Sequence, residues 1–249
     1  HIGLGSFHRA HQAVYLHRLH EAGDRSWVIV GGNTRPDMAE TVAALVAQGG
    51  RYTLETVTPA GVRACEVIGS IARVIPFEPG LASLVATGAD ADTRIISFTV
   101  TEAGYHLDAQ DRLDPASKDL AADLAALRGG RAGSTIYGVL AAILRARMQG
   151  GGGPVTLLNC DNLRHNGDRS RSGLVQFLAW LGDDALARWV TTNTSSPNAM
   201  VDRITPRPTA EVADRVRAAT GWSDGAPVMA EAFIQWVIED RFIAGRPAW

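Results

Sequence analysis

The first twelve residues, His-Ile-Gly-Leu-Gly-Ser-Phe-His-Arg-Ala-His-Gln, constrain the fold of this chain more than any other segment. They are typical of a buried strand that ends in a glycine turn and continues into a helix. Such a turn leaves backbone N–H groups unpaired and partly positive, which suits phosphate binding. Gly3 would allow the tight turn and Gly5 would let the backbone approach a pyrophosphate, as the first two glycines of G-x-G-x-x-G do. His8 stands where that pattern has its third glycine, so the motif alone also fits an ordinary turn of any α/β protein.

Four histidines close to this turn raise the question of a metal site. At about 100° per residue, His8 and His11 fall on the opposite helical face from His17 and His20, so one ion could not collect all four. We expect these side chains to lie on the surface or to pack between helices, without a cysteine or carboxylate partner. The sequence therefore predicts no bound metal.

Composition argues against several classes of function. The net charge is −2, so no overall basic surface is available to neutralise a nucleic-acid backbone or to bind a membrane. No apolar run approaches the roughly 20 residues of a membrane span. The two cysteines, Cys65 and Cys160, lack C-x-x-C spacing and are expected to be reduced thiols. We therefore expect a cytoplasmic protein without nucleic-acid or membrane partners, and the sequence does not indicate its oligomeric state.

Hydrophobic periodicity predicts alternating strands and helices. Strands are expected over residues 27–30, 94–101 and 155–158, and an antiparallel hairpin over 52–74 that turns at Pro59-Ala60-Gly61. The predicted helices are residues 10–22, 38–48, 79–87, 118–127, 135–148, 168–181, 210–219 and 231–242.

This order of elements indicates an α/β fold. Residues 1–190 are expected to form a Rossmann-like, doubly wound sheet with an inserted β-hairpin. Residues 191–249 are expected to be a connecting segment and the start of a mainly helical second domain that is truncated. The chain starts without methionine and ends without a closing element, so we expect it to be a piece of a longer protein.

Polar residues follow several predicted strands, and ligands of doubly wound sheets bind at the carboxyl ends of strands. The strand over residues 94–101 leads into Thr101 and Glu102, and the strand over 155–158 leads into Asn159-Cys160-Asp161-Asn162. A dense polar cluster is costly to bury unless its groups are paired. Such a cluster at the end of an apolar strand therefore marks a site more often than a core.

The loop after the second strand contains both Arg35 and Asp37. In dinucleotide folds an acidic residue here binds the ribose of NAD, whereas an arginine accommodates the 2′-phosphate of NADP. The two residues leave the choice of cofactor open, and Asp37 could also cap the following helix. Further along, Asp202 and Arg203 are adjacent, and the residues alone favour a structural ion pair.

Five longer segments carry a more specific signal. They are Gly-Leu-Gly-Ser-Phe-His-Arg-Ala-His-Gln at 3–12, Thr-Val-Thr-Glu-Ala-Gly-Tyr at 99–105, Asn-Cys-Asp-Asn-Leu-Arg-His-Asn-Gly at 159–167, Pro-Asn-Ala-Met-Val-Asp-Arg-Ile-Thr-Pro at 197–206 and Phe-Ile-Gln-Trp-Val-Ile-Glu-Asp at 233–240. In this order they resemble successive motifs of the mannitol dehydrogenase family. These long-chain polyol dehydrogenases include mannitol 2-dehydrogenase, arabinitol dehydrogenase, and the fructuronate and tagaturonate reductases. The resemblance also accounts for His8, because the family's turn reads G-x-G-x-F-H-R-A-H.

The resemblance implies a zinc-independent oxidoreductase that uses NAD, with NADP as the alternative cofactor. Such an enzyme interconverts a polyol, such as mannitol, and its ketose by hydride transfer. The residues implied to contact the cofactor are Gly3, Gly5, Phe7 and His8 along the pyrophosphate turn, Asp37 at the adenosine ribose, and Val201.

The resemblance also implies residues for the substrate side. Asn162 would help to hold the reacting oxygen, and Asp202 would line the polyol pocket. The family's general base is a lysine in a K-x5-N-x3-H motif downstream of residue 240, and this chain ends before that motif. Lys118 is the only lysine of the chain and belongs to none of the five segments. We expect the intact protein to be a dehydrogenase and this chain alone to turn over negligibly. The alternatives are a hexuronate reductase and a nucleotide-binding module without catalytic activity.

Overall fold

A computed structural model of the chain describes residues 1–100, 102–108 and 110–249, without the side chains of residues 102 and 103. The chain forms two compact units. One consists of His1–Pro76, Val201–Trp236 and Pro247–Trp249, and the other of Phe77–Met200 and Val237–Arg246. The chain therefore starts the first unit, forms most of the second, and then returns to complete the first.

Strands and helices alternate along much of the chain, as the periodicity predicts. The strands are β1 (Ile29–Gly32), β2 (Tyr52–Val57), β3 (Arg63–Ile68), β4 (Ile71–Ile75), β5 (Ile95–Phe98), β6 (Val155–Asn159), β7 (Thr194–Ser195), β8 (Ala199–Asp202), β9 (Val228–Glu231) and β10 (Gln235–Ile238). The α-helices are α1 (Ser6–Ala10), α2 (Gln12–Glu21), α3 (Ala39–Ala47), α4 (Ala82–Ala89), α5 (Lys118–Arg128), α6 (Ile136–Gly150), α7 (Asn166–Leu181), α8 (Asp184–Asn193) and α9 (Ala210–Thr220). Short 3-10 helices span Pro36–Met38 and Glu102–Tyr105.

The first unit contains two groups of strands. β1 pairs in parallel with β4, and Ile2 extends this group through a parallel bridge to Gly32. β2 lies between β3 and β9, antiparallel to β3 and parallel to β9. The predicted hairpin is confirmed over residues 52–68, where β2 and β3 pair in continuous register on either side of the predicted turn. Its predicted extension to residue 74 is wrong, because Ile71–Ile75 form the separate strand β4, which pairs in parallel with β1. The apolar faces bury a core that includes Leu4, Val14, Leu45, Leu54, Ile68 and Val228.

The second unit contains the parallel strands β5, β6 and β7. β6 is buried along its whole length, as expected of an apolar strand covered on both faces. The turn before β6 is fixed by Arg147 of α6, which is fully buried. Its guanidinium donates, at 2.6–3.1 Å, to the carbonyls of Gly88, Asp90, Gly153 and Pro154. Four carbonyl dipoles thus hold this buried cation and position the strand that carries the polar cluster.

The helix predicted over residues 231–242 is wrong. Its first residue completes β9, and Gln235–Ile238 form β10, which pairs with β8. Along β10 the side chains alternate between exposed and half-buried, the period of a strand. The apolar and aromatic residues there also recur at helical intervals, so the local sequence fits both structures. Residues 197–206, for which the periodicity predicts neither a helix nor a strand, contain β8.

The sequence analysis also missed α8. Its first turn is capped by Asp183, whose carboxylate accepts the N–H of Leu186 at 3.0 Å and a hydrogen bond from Arg145 at 2.9 Å. The two consecutive aspartates after Gly182 were the available signal. The predicted boundary near residue 190 and the truncated helical domain after it stay predictions. Among the described residues, no helix has both the length and the apolar character that crossing a bilayer requires.

Candidate functional site

The glycine turn at the start of the chain is held against β1. The N–H of Gly3 donates to the carbonyl of Gly32 at 2.9 Å, and Gly3 has φ +106°, in the region that favours glycine. Gly5 differs, because its φ of −67° and ψ of 173° suit any residue, and a Cβ there would meet nothing within 4 Å. Neither conformation nor contact with the described residues requires a glycine at position 5. The open space fits the close approach of a ligand that the sequence predicts.

Leu4, between the two glycines, fixes the turn to its neighbours. Its side chain is fully buried, and a Cβ added to Gly31 would lie 2.3 Å from Leu4 Cδ2. Its N–H donates to Oδ1 of Asn33 at 2.8 Å, and its carbonyl accepts from Nε of Arg9 at 3.2 Å. The side chain and both main-chain polar groups of Leu4 are therefore engaged by the protein.

The helix after the turn begins four residues earlier than predicted and is interrupted at His11, between α1 and α2. Carbonyls near the interruption are bound by side chains of other elements. The carbonyl of Arg9 accepts from the Tyr52 hydroxyl at 2.5 Å, and that of Ala10 accepts from the guanidinium of Arg203. These donors satisfy groups that a helix end leaves unpaired.

A chain of hydrogen bonds joins His8, Gln12 and His11. The carbonyl of Gln235 can only accept, so the His11 ring donates to it through Nε2 at 2.8 Å. Nδ1 of a neutral His11 is then an acceptor, and it takes an N–H of the Gln12 side chain at 3.0 Å. Oε1 of Gln12 in turn accepts from Nδ1 of His8 at 3.3 Å. The carbonyl of Gln235 thus sets the direction of every hydrogen bond in this series.

Burial keeps both rings uncharged. It lowers the pKa of His11 to about 4 and the pKa of His8 well below its ordinary value of 6.5. A neutral His8 that donates through Nδ1 has a lone pair at Nε2. That buried nitrogen has no hydrogen-bond partner among the described residues. His8 is therefore an acceptor for a donor that the described residues do not provide.

Phe7, Arg35 and Asp37 are the more accessible residues of the predicted cofactor site. Phe7 is half-buried and stacks on His11, with ring centroids 5.0 Å apart. Arg35 and Asp37 are both exposed, and Asp37 lies in the 3-10 helix before α3. The alternative that Asp37 caps α3 is wrong, because the N-cap residue of α3 is Met38 and no side chain caps that end of the helix.

Val201 and Asp202 end strand β8. Val201 is buried and Asp202 is exposed. Within the described residues Asp202 forms no ion pair with Arg203, so the structural explanation that the residues alone favoured is wrong. Arg203 is buried instead, and its guanidinium donates to the carbonyl of Glu231 at 2.9 and 3.0 Å. The role of Asp202 in substrate binding stays a prediction.

The polar cluster after β6 is organised around Asp161. Its two carboxylate oxygens accept the N–H of Val100 at 3.0 Å, and one also accepts the hydroxyl of Tyr105. That hydroxyl accepts in turn from Nδ2 of Asn159 at 2.5 Å. The sequence analysis did not predict the contact between Tyr105 and Asp161. The segments at 99–105 and 159–167 meet through it, so the order of the motifs was the signal that could have suggested it.

The substrate-side predictions fall mainly in the second unit. Asn162 is exposed directly after Asp161. Thr101 and the side chain of Glu102, expected to face a ligand, lie outside the described residues. Lys118 is exposed at the start of α5. The other predicted site residues belong to the first unit: Gly3, Gly5, Phe7, His8, Asp37, Val201 and Asp202.

His17 lies close to two carboxylates, contrary to the expectation that these histidines lack such partners. Its Nε2 is 3.6 Å from Glu66 and 3.8 Å from Glu21, and the three side chains could together surround a metal ion. However, Nδ1 of His17 accepts the N–H of Gly69 at 3.3 Å. In the neutral ring this leaves the proton on Nε2, which faces the carboxylates and offers no lone pair to a metal.

The pKa of Asp161 makes a testable contribution to stability. Burial raises the pKa of this carboxyl from its ordinary value of 3.8 to about 6, against the opposing effect of its hydrogen bonds. Because the folded protein binds this proton more tightly than the unfolded chain, the contribution is largest below pH 4 and is lost as the pH rises through 6. The shift corresponds to about 3 kcal/mol. When the free energy of unfolding in urea is measured at pH 4 and at pH 7, we expect it to fall by about 2 kcal/mol less in the Asp161→Asn variant than in the parent protein, because part of the effect lies outside this pH range. Equal losses in the two proteins would contradict this assignment.

Comparison with known proteins identifies the family. Residues 1–249 match the family described as mannitol dehydrogenase Rossmann domain. The chain is 63% identical over 252 residues to a D-arabinitol 4-dehydrogenase of Ralstonia nicotianae, covering 100% of this chain and 53% of that protein. It is 37% identical over 249 residues to a polyol:NADP oxidoreductase of Gluconobacter oxydans, covering 99% of this chain and 50% of that protein.

A solved structure agrees with these relatives. The chain is similar to Pseudomonas fluorescens mannitol 2-dehydrogenase in a ternary complex with NAD and D-mannitol, with a TM-score of 0.91 and 35% identity over 100% of this chain and 50% of that one. The chain spans about half the length of the curated relatives that it matches. The likenesses confirm the predicted α/β Rossmann fold and the resemblance found in the sequence. The chain is a Rossmann domain and belongs to the mannitol dehydrogenase family.

Proposed function

We propose that this chain is the cofactor-binding part of an NAD(P)-dependent polyol dehydrogenase, which interconverts a polyol and its ketose. The observation that carries the proposal is Gly5 on the turn of a mannitol dehydrogenase family member. Since neither backbone conformation nor packing against described residues calls for a glycine there, we infer that a ligand does. The NAD bound to the Pseudomonas fluorescens relative favours a dinucleotide as that ligand.

The way in which the turn is held supports this role. Leu4 is buried and hydrogen-bonded at both main-chain groups, so the turn is ordered without a ligand. A preordered site loses less conformational entropy on binding. We propose that Gly3, Gly5 and Phe7 line the pyrophosphate and that Val201 abuts the cofactor.

We propose that His8 accepts a hydrogen bond in this site. Phosphate oxygens are acceptors, and so is Nε2 of a neutral His8 that donates through Nδ1. The two would not bond to each other. A ribose hydroxyl, the nicotinamide carboxamide or an ordered water of the bound cofactor would supply the donor that His8 lacks.

The proposed reaction assigns two tasks to this chain, which are to orient the cofactor and to hold part of the substrate. A bound nicotinamide would supply the hydride acceptor for the oxidation of a secondary alcohol. The Asn162 amide would donate to the reacting oxygen, and Asp202 would line the polyol pocket. The hydroxyl proton also requires a base. Because Lys118 is exposed on α5, we propose that the base belongs to the half of the relatives' length that this chain does not match.

A polyol is the substrate class that the relatives favour. Identity of 63% to a D-arabinitol 4-dehydrogenase favours a pentitol such as D-arabinitol, ahead of mannitol. A hexuronate reductase is the second candidate, and its substrate carboxylate would require an additional cationic group. A nucleotide-binding module without catalysis is the candidate from a different class.

The variant Gly5→Ala tests whether a ligand is the reason for the glycine. Its methyl group would enter space that the described residues leave open, so the midpoint of thermal unfolding should stay unchanged or rise slightly. In the full-length protein we expect the Kd for NADH, measured by fluorescence titration, to rise about ten- to hundredfold from steric overlap. The control is Gly69→Ala, also without neighbours within 4 Å of its Cβ, which should leave the Kd unchanged. An unchanged Kd for NADH in the Gly5→Ala variant would contradict the proposal.

Cofactor preference depends on the two exposed charges before α3. If Asp37 binds the adenosine ribose, Asp37→Ala should weaken NADH binding about tenfold through the loss of a charged hydrogen bond. NADPH binding should stay the same or improve, since a carboxylate beside the 2′-phosphate is removed. Glu40→Ala, which removes an exposed carboxylate from α3, is the matched control and should change neither affinity. If Arg35→Ala abolishes NADPH binding while Asp37→Ala leaves NADH binding unchanged, the result would instead favour NADP as the cofactor.

The reaction itself is tested with the full-length protein. We expect NAD-dependent oxidation of D-arabinitol with a higher kcat/KM than that of D-mannitol. The rate is measured from the increase in NADH absorbance. Reduction of fructuronate or tagaturonate in preference to both would replace the proposal with the hexuronate reductase. Tight NADH binding with no turnover of any of these compounds would favour the non-catalytic module.

A further inference from the structure

We propose that Asn33 binds the adenosine ribose of the cofactor through its side-chain amide and lowers the discrimination between NAD and NADP. The inference rests on the proposed cofactor-binding function. Asn33 lies outside the five segments that resemble the family, and it directly follows β1. It is therefore a specificity residue that the motifs do not assign.

The orientation of the Asn33 amide is fixed by Leu4. The main-chain N–H of Leu4 can only donate, and it lies 2.8 Å from one end of the amide. That end must be the oxygen, Oδ1. Nδ2 is then the opposite end, and its two N–H groups can only donate.

Nδ2 of Asn33 has no hydrogen-bond partner among the described residues. The residue is buried, with 7% of its surface exposed, so the bulk solvent does not satisfy this group. Most buried polar atoms in folded proteins are paired, and an unpaired one calls for a missing partner. The missing partner must offer a lone pair, which an oxygen atom can supply.

The position of Asn33 in the fold identifies which oxygen this is. In dinucleotide-binding folds the adenosine ribose is bound at the end of the strand that follows the first crossover helix. Here that strand is β1, which follows α1 and α2, and Asn33 is the first residue after it. Its bond to Leu4 also places it beside the glycine turn. A ribose hydroxyl oxygen fits both the location and the donor.

An amide at this position has a different selectivity from a carboxylate. A carboxylate accepts a hydrogen bond from the 2′-hydroxyl of NAD and repels the 2′-phosphate of NADP. The Nδ2 donor of Asn33 can bond to either a hydroxyl or a phosphate oxygen. Together with the exposed Arg35, it makes the site tolerant of NADP, while Asp37 acts in the opposite direction.

Asn33→Asp in the full-length protein tests the inference. The variant keeps an oxygen for the Leu4 N–H but replaces the donor with a negatively charged acceptor. In fluorescence titrations we expect NADPH binding to weaken at least about tenfold and NADH binding to change less than about threefold. The control Ala43→Asp places the same charge on an exposed position of α3 and should change neither affinity.

The alternative outcomes are distinct. Equal weakening of NADH and NADPH would assign the amide to the pyrophosphate and overturn the ribose assignment. Unchanged binding of both would show that the amide faces no part of the cofactor, which also overturns it. If the parent protein binds neither cofactor, the proposed function fails instead.

A second measurement does not depend on the folding of the Asn33→Asp variant. The side-chain amide signal of Asn33 in ¹⁵N NMR spectra of the parent protein, assigned through Asn33→Ser, should shift when NADH is added. Adenosine monophosphate should produce most of that shift, because it carries the same ribose. An Asn33 signal that both additions leave in place would overturn the inference.

Discussion

The hydrogen bond from the Leu4 N–H to Asn33 Oδ1 joins the glycine turn to the residue that ends the neighbouring strand. Because Leu4 is bonded and fully buried at the same time, the glycines on either side of it cannot adjust independently. Gly3 adopts a backbone conformation that other residues avoid, and Gly5 is left open. A turn without this anchor would have to be ordered by its ligand, at a cost in entropy.

The buried polar groups around the turn are mostly neutral, and their hydrogen bonds end on main-chain carbonyls. The bonds through Gln12 and His11 end on a carbonyl, as do those of the Arg203 guanidinium. Two of the buried atoms that lack partners among the described residues belong to His8 and Asn33, and they have opposite polarity. Nε2 of His8 accepts and Nδ2 of Asn33 donates. Sugar hydroxyls both donate and accept, so a ligand with ribose groups is chemically suited to both atoms.

Local features of the sequence predicted the alternating elements, the hairpin and the glycine turn, because each depends on residues close together in the chain. β10 was missed because its local pattern also fits a helix, and its partner β8 is distant in sequence. The contact of Tyr105 with Asp161 depends on the pairing of β5 with β6, which no local pattern contains. Strand ends also indicated Asp37 and the cluster that contains Asn162, whereas the roles of Phe7, His8, Val201 and Asp202 were predicted from the family resemblance. The unpaired atoms of His8 and Asn33 could not be predicted from the sequence, because identifying them requires the positions of all their neighbours.

The first unit is discontinuous, and this affects the order in which the protein is made. β9, which pairs with β2, is synthesised after most of the second unit. Arg203, which bonds to the carbonyl of Ala10, is also synthesised after most of the second unit. During translation the second unit can therefore fold while β2 still has an unpaired edge, a state open to chaperones and to mispairing. The start of this chain thus completes its structure only after most of the second unit has been synthesised.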